Sequence, residues 1–106
     1  MNLQKQKRLE DAAAIRECKE NVDYHCEVCH QEASDSHHYW YSKGAGGPDH
    51  RFNLICLCRV CHRKAHDGAI LAGFLLNIVA RREKKTAMQI VEKLQRLRLP
   101  YQQGEI

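Results

Sequence analysis

Residues 35–66 read DSHHYWYSKGAGGPDHRFNLICLCRVCHRKAH, and this stretch decides what kind of domain the chain can form. Two metal chemistries overlap in it. Cys58-x-x-Cys61 is half of a zinc knuckle, a short turn that brings two sulfurs onto one ion, and Cys26-x-x-Cys29 supplies the other half. Together they form a tetrahedral four-thiolate set of the kind that holds structural zinc. His62 and His66 lie four apart, so on a helix both project from one face and can hold one cation. Cys61 and His62 are neighbours, about 100° apart around such a helix at 3.6 residues per turn. One short helix could therefore serve a structural zinc on one side and a second metal on the other. His37 and His38, upstream, read as the other half of that second site.

Working outward, 28 residues separate the two CxxC pairs, more than the roughly 15–20 of a zinc ribbon. The excess holds a histidine-bearing strand and a glycine-rich loop, as suits a site inserted between two halves of a clip. Residues 34–41 (SDSHHYWY) are rich in aromatics and predict a strand. Neighbours on an ideal strand face opposite sides, so His37 and His38 can serve one site only if the chain bends or the strand ends there. Residues 42–51 (SKGAGGPDHR) predict a loop, with glycine supplying positive φ and Pro48 fixing a turn. No Gly-Lys-Ser/Thr follows, which argues against a phosphate-cradling P-loop. His50 is expected on the loop surface. Residues 53–57 (NLICL) predict a short apolar strand, with Cys56 packing in the core because four other thiolates already fill the metal site. His25 and His30 are superfluous as ligands for the same reason. The helix predicted over residues 59–67 ends at Gly68, a residue suited to a left-handed cap.

A chain of 106 residues reads as one domain with a limited core. Below about 70–80 residues of core, a metal or disulfide staple is commonly needed. Six cysteines could signal a disulfide framework, but paired CxxC spacing with histidines nearby fits zinc thiolate better. No charged, apolar leader is visible, so a reducing cytoplasm is the expected setting. The net charge of +4 is unevenly spread: −2 over residues 1–34, +2 over 35–68 and +4 over 69–106. The central stretch and the tail thus carry a positive field that a phosphate backbone would favour, although a solvated basic surface explains the charge equally well.

Residues 3–20 predict a helix with a narrow apolar stripe through Leu9, Ala12, Ala13, Arg16 and Glu17, and Ile15 off to one side. Cys18 has no CxxC partner and reads as a buried or half-buried thiol. Residues 69–80 (AILAGFLLNIVA) are strongly apolar, but 12 residues fall short of the roughly 20 needed to cross a bilayer. They predict a buried helix or a dimer contact, so a homodimer through residues 69–99 is one expectation and a membrane is not. Residues 81–85 (RREKK) predict a solvated turn. Residues 86–99 predict a helix bearing Ala87, Ile90, Val91, Leu94 and Leu97, capped by Thr86 and ended by Pro100.

His37-His38, then Asn53, then His62 nine positions beyond it, resembles the HNH endonuclease motif of the ββα-metal nucleases, whose four-cysteine members flank it with two CxxC pairs. The resemblance covers residues 26–68 and neither end. It implies a ββα-metal core (residues 22–68) stapled by zinc; with the N-terminal helix (1–21) and the C-terminal helical extension (69–106) expected from composition and periodicity, the fold class is α+β. It implies a metal-dependent DNA endonuclease with His38 as general base and Asn53 orienting that base and its loop. His37, His62 and His66 would hold one catalytic divalent metal (Mg²⁺, Mn²⁺, Ni²⁺ or Zn²⁺), and Cys26, Cys29, Cys58 and Cys61 the structural Zn²⁺. Asp35 would steady a histidine through a hydrogen bond. Lys43, Arg51, Arg59, Arg63 and Lys64 are the side chains expected at the phosphates of double-stranded DNA. Small stand-alone members of this kind are encoded by phages, some working beside DNA-packaging proteins. An inactive zinc-stapled DNA-binding module and a helical protein–protein adaptor remain the alternatives.

Overall fold

The computed structural model describes residues 3–103, with side chains from residue 12 to residue 98. The chain runs through helix α1 (Leu3–Glu20), strand β1 (Asp35–His38), a 3-10 turn (Lys43–Ala45), strand β2 (Leu54–Leu57), and helices α2 (Arg59–His66), α3 (Ala72–Glu83) and α4 (Ala87–Gln103). The architecture is α+β, a two-stranded antiparallel sheet with four helices around it. Among the described residues no helix is long and apolar enough to cross a membrane.

The sheet is short because its sequence is. Residues Leu54, Ile55, Cys56 and Leu57 are all fully buried, so β2 is a continuous apolar run covered on both faces. β1 pairs with it in the register Asp35↔Leu57, Ser36↔Cys56, His37↔Ile55 and His38↔Leu54. The strand predicted to reach Tyr41 stops at His38. Beyond it Tyr39 turns inward, its hydroxyl donating to the Phe52 carbonyl at 2.7 Å.

Helix α1 forms where its composition predicts, but it packs through Ala14, Ile15 and Cys18 instead of the narrow stripe of Ala12, Ala13, Arg16 and Glu17. Cys18 is 4% exposed, and burial pushes its thiol up to about 12, which leaves it an inert packing group. Leu9, placed on that stripe, lies outside the described side chains.

Helix α2 is capped at both ends by the residues that flank it. Cys58 is its N-cap, accepting the Cys61 N–H on sulfur at 3.4 Å. At the C-terminus Gly68 adopts φ +82°, the Ala69 N–H reaches the Lys64 carbonyl at 2.9 Å, and Gly68 N–H reaches that of Ala65. This is a Schellman closure around a left-handed glycine.

That closure uses residues 68–70, so α3 starts three residues later than the apolar run does. It also continues to Glu83, and the predicted solvated turn over 81–85 is therefore half helix; Lys84, at φ +58°, ends it. Leu75, Leu76, Val79 and Ala80 bury its inner face against Ile90 and Leu94 of α4 and the sheet. Thr86 and Gln89 close the α4 N-terminus reciprocally, Oγ1 accepting from the Gln89 N–H and Oε1 from the Thr86 N–H. The α4 backbone runs past Pro100 instead of ending there. Pro100 has no N–H to give the carbonyl four residues before it, so the last turn lacks that hydrogen bond.

Candidate metal centres and a histidine cleft

The four sulfurs of Cys26, Cys29, Cys58 and Cys61 lie within 4.8 Å of one another. Cys29 and Cys58 are 3.6 Å apart, close to the roughly 3.8 Å edge of a tetrahedron with 2.3 Å zinc–sulfur bonds. Backbone N–H groups already point at the sulfurs: Cys29 N–H to Cys26 Sγ at 3.5 Å and Cys61 N–H to Cys58 Sγ at 3.4 Å. Burial raises Cys26, but the N–H groups of Cys29, Cys58 and Val28 more than offset it and leave the thiol at about 7. Burial, and then the neighbouring sulfurs, push Cys61 up. Four thiols so crowded cannot all ionise alone; a divalent cation removes that conflict, which is what a structural metal site requires.

The second cluster is made by β1 and α2. His37, His62 and His66 each offer a ring nitrogen, and these nitrogens also fall within 4.8 Å of one another. The His37 ring centroid is 4.9 Å from that of His62 and 5.0 Å from that of His66. Burial, reinforced by the adjacent imidazoles, holds His37 down at about 4, so at neutral pH it keeps a free lone pair. His62 Nδ1 donates to Asp35 Oδ2 at 3.1 Å, an arrangement that leaves Nε2 for an ion and fixes the ring. Hydrogen bonding from His62, helped by Arg59, keeps the Asp35 carboxyl below its ordinary range. The steadying role expected of Asp35 thus falls on His62.

His37 and His38 line one cleft of about 530 Å³ with Trp40, Lys43, His62 and His66. Two neighbours can do so because β1 ends at His38, the condition that strand geometry imposed. While His37 meets α2, His38 Nε2 meets Asp49 Oδ1 at 2.5 Å. The other Asp49 oxygen takes the Lys43 ammonium. Burial would raise Asp49, but Lys43 and His38 outweigh it and the carboxyl lies below its ordinary range.

Asn53 is 0% exposed and holds the loop together. Its Oδ1 accepts the Trp40 and Tyr41 N–H groups at 3.2 and 3.0 Å, and its Nδ2 donates to the Tyr41 and Pro48 carbonyls at 2.8 and 3.2 Å. Both amide donors and both acceptor sites are used. Gly47 packs so tightly beneath this network that a Cβ would collide with the Tyr41 carbonyl oxygen.

The five cationic residues expected at phosphate divide into two groups. Lys43 is tied to Asp49, and Arg51 to Glu83 at 2.8 Å. Arg59 is 80% exposed and only loosely near Asp35, while Arg63 and Lys64 lie exposed on α2. His50, expected at the surface, is half-buried instead; its Nδ1 accepts the Phe52 N–H at 3.0 Å and its ring packs edge-on against Phe52.

Sequence reading missed Glu27 and Arg82. Glu27, inside the first CxxC turn, accepts the Cys56 N–H at 2.8 Å and the Arg82 guanidinium at 2.9 and 3.0 Å. Arg82 also donates to the Leu54 and Arg51 carbonyls and to Glu83. Nothing in RREKK marks the second arginine as internal except its place on the buried side of a helix that the sequence reading had ended too early. Comparison of the chain with protein-family models, with curated proteins and with solved structures finds no match in any of the three.

Proposed function

We propose that this chain is a metal-dependent DNA endonuclease of the HNH, ββα-metal type. On this reading β1, β2 and α2 are the ββα core, and the four cysteines hold a closed structural zinc. His37, His62 and His66 hold one divalent cation, with His38 as general base. The observation that carries it is the convergence on one cleft of three imidazoles near enough to share an ion and a fourth whose ring is fixed by a carboxylate.

Hydrolysis of a phosphodiester needs an activated water, neutralised phosphate charge and a stabilised leaving oxygen. A divalent cation held by His37, His62 and His66 would supply charge neutralisation at the phosphate and at the departing 3′ oxygen. His38, which lines the same cleft, takes a proton from the attacking water. The water oxygen bonds to phosphorus as the bond to the 3′ oxygen breaks, and that oxygen takes a proton from solvent. Arg59, Arg63 and Lys64, exposed on the helix that carries two of the ligands, provide positive charge for the DNA backbone. Work beside phage DNA-packaging proteins follows from the family resemblance alone, and a reducing, cytoplasmic setting fits cysteines kept as metal thiolates.

Supercoiled plasmid incubated with the protein in an Mg²⁺, Mn²⁺, Ni²⁺ and Zn²⁺ series tests the reading. Nicked or linear product with at least one metal, abolished by EDTA, is the expected result. Salt-sensitive DNA binding without cleavage in any of them would leave a zinc-stapled binding module.

A further inference from the structure

The loop between the strands holds a buried carboxylate for which neither the cysteine cluster nor the histidine cluster has a use. The Asp49 side chain is 1% exposed. Burying a carboxylate is costly unless its oxygens are engaged, and here each has one partner, His38 Nε2 on Oδ1 and Lys43 Nζ on Oδ2. The Lys43 side chain is 61% exposed and the His38 side chain 17%. The sheltered contact of Asp49 is therefore the imidazole, and water surrounds the other.

The backbone on both sides of Asp49 is pinned. The Pro48 carbonyl accepts from Asn53 Nδ2, and the His50 carbonyl accepts from the Asn53 N–H at 2.8 Å. Since Asn53 Oδ1 also holds the N–H groups of Trp40 and Tyr41, just after His38, one buried asparagine fixes both ends of the Asp49–His38 contact. Such a carboxylate does not sit on a mobile loop. An ionised carboxylate can only accept, so the imidazole nitrogen facing it carries the proton. In the neutral ring that places the lone pair on Nδ1, which has no hydrogen-bond partner among the described residues.

We infer that Asp49 is a positioning residue for His38, locking the ring in its Nε2–H tautomer and presenting Nδ1 to the cleft. The role rests on the nuclease reading only in what Nδ1 then does. When Nδ1 takes the proton of the attacking water, the resulting imidazolium donates from Nε2 to a carboxylate already in place.

The test has two arms on the zinc-loaded full chain. Long-range ¹H–¹⁵N spectra of histidine-labelled protein should show His38 as the Nε2–H tautomer in the parent and as a tautomer mixture in Asp49→Asn. In single-turnover plasmid cleavage, Asp49→Asn should be slower by on the order of 10–100-fold, the size of loss seen when the orienting partner of a metal-ligating histidine is removed. Adding Asp49→Asn to His38→Ala should slow cleavage no further, because the carboxylate acts through that ring. An Nδ1–H parent overturns the inference without reference to any variant, so misfolding of Asp49→Asn cannot protect it. A further loss on the His38→Ala background, or a parental rate in Asp49→Asn, also overturns it. If the parent fails to cut with any of the metals while the tautomer still depends on Asp49, the nuclease reading falls and the positioning stands.

Discussion

At the scale of single residues, Asn53 shows how one side chain can replace a missing element. The chain from Tyr39 to Arg51 contains only one 3-10 turn, yet four of its backbone groups are satisfied by this amide. Leaving buried backbone groups unpaired costs about 1–3 kcal/mol each where water cannot reach them. Asn53→Ala should therefore lower unfolding stability by on the order of 3 kcal/mol, measured by urea titration. Asn53→Asp keeps the acceptor and loses both donors, setting a carboxylate oxygen against the Tyr41 and Pro48 carbonyls. It should be as damaging as Asn53→Ala at pH 7 and recover as pH falls and the carboxyl regains a proton to donate. His50 supplies a second titration. Burial lowers it, with Lys93 adding in the same direction, and its Nδ1 is needed as an acceptor. Below about pH 6.5 the unfolded chain takes up that proton before the folded one does. Its share of stability is thus complete above about 6.5 and lost as pH falls toward the folded value. Between pH 7.5 and 5.5 the parent should lose more stability than His50→Asn; equal slopes would show that His50 is not the group responsible. Motif spacing singled out Asn53, whose amide holds the loop, but not His50, whose partner is fixed only once the loop closes.

Among elements, the decisive contact is the one between the first CxxC turn, β2 and α3. Arg82 bridges Glu27, the Leu54 and Arg51 carbonyls and Glu83, with its side chain 18% exposed and that of Glu27 6%. Arg82→Ala would leave the Glu27 carboxylate buried and uncompensated, a change expected to cost about 3–5 kcal/mol. Arg82→Lys should recover little, because an ammonium cannot reproduce a planar fork with several acceptors in fixed directions. Thermal melting of both variants checks this; a parental melting point for Arg82→Ala would mean that α3 is held by apolar packing alone. The sequence could not reveal the bridge. Three of its four partners stand 55, 31 and 28 positions away, and local pattern sees none of them. The same blindness misplaced the packing face of α1, whose stripe was inferred from periodicity when the sheet chose Ala14, Ile15 and Cys18. What local pattern does encode came through: the two CxxC turns, the His62–His66 pair, the apolar β2 and the Gly68 cap.

For the whole molecule, a small core of two four-residue strands and the inner faces of its helices is closed by the cysteine cluster, which ties the loop after α1 to the start of α2. Structural zinc contributes folding free energy on the order of 10 kcal/mol in small zinc domains. Cys29→Ser and Cys61→Ser should each lose zinc and melt far below the parent. Variants without zinc that melt as the parent does would show that the cluster staples nothing. The histidine cluster belongs to a different layer of the design, since it lines a separate cleft with His38 and Trp40, and on the proposed reading an ion held there would exchange without unfolding. The measurement that tests the central claim most directly is single-turnover plasmid cleavage by the parent, His37→Ala and His38→Ala across a Mn²⁺ titration. His37→Ala, a lost ligand, should regain part of its rate at high metal. His38→Ala should stay slower by on the order of 10²–10⁴-fold at every concentration, with DNA affinity retained because cationic side chains and not the imidazole hold phosphate. Cleavage by His38→Ala at the parental rate would contradict the account.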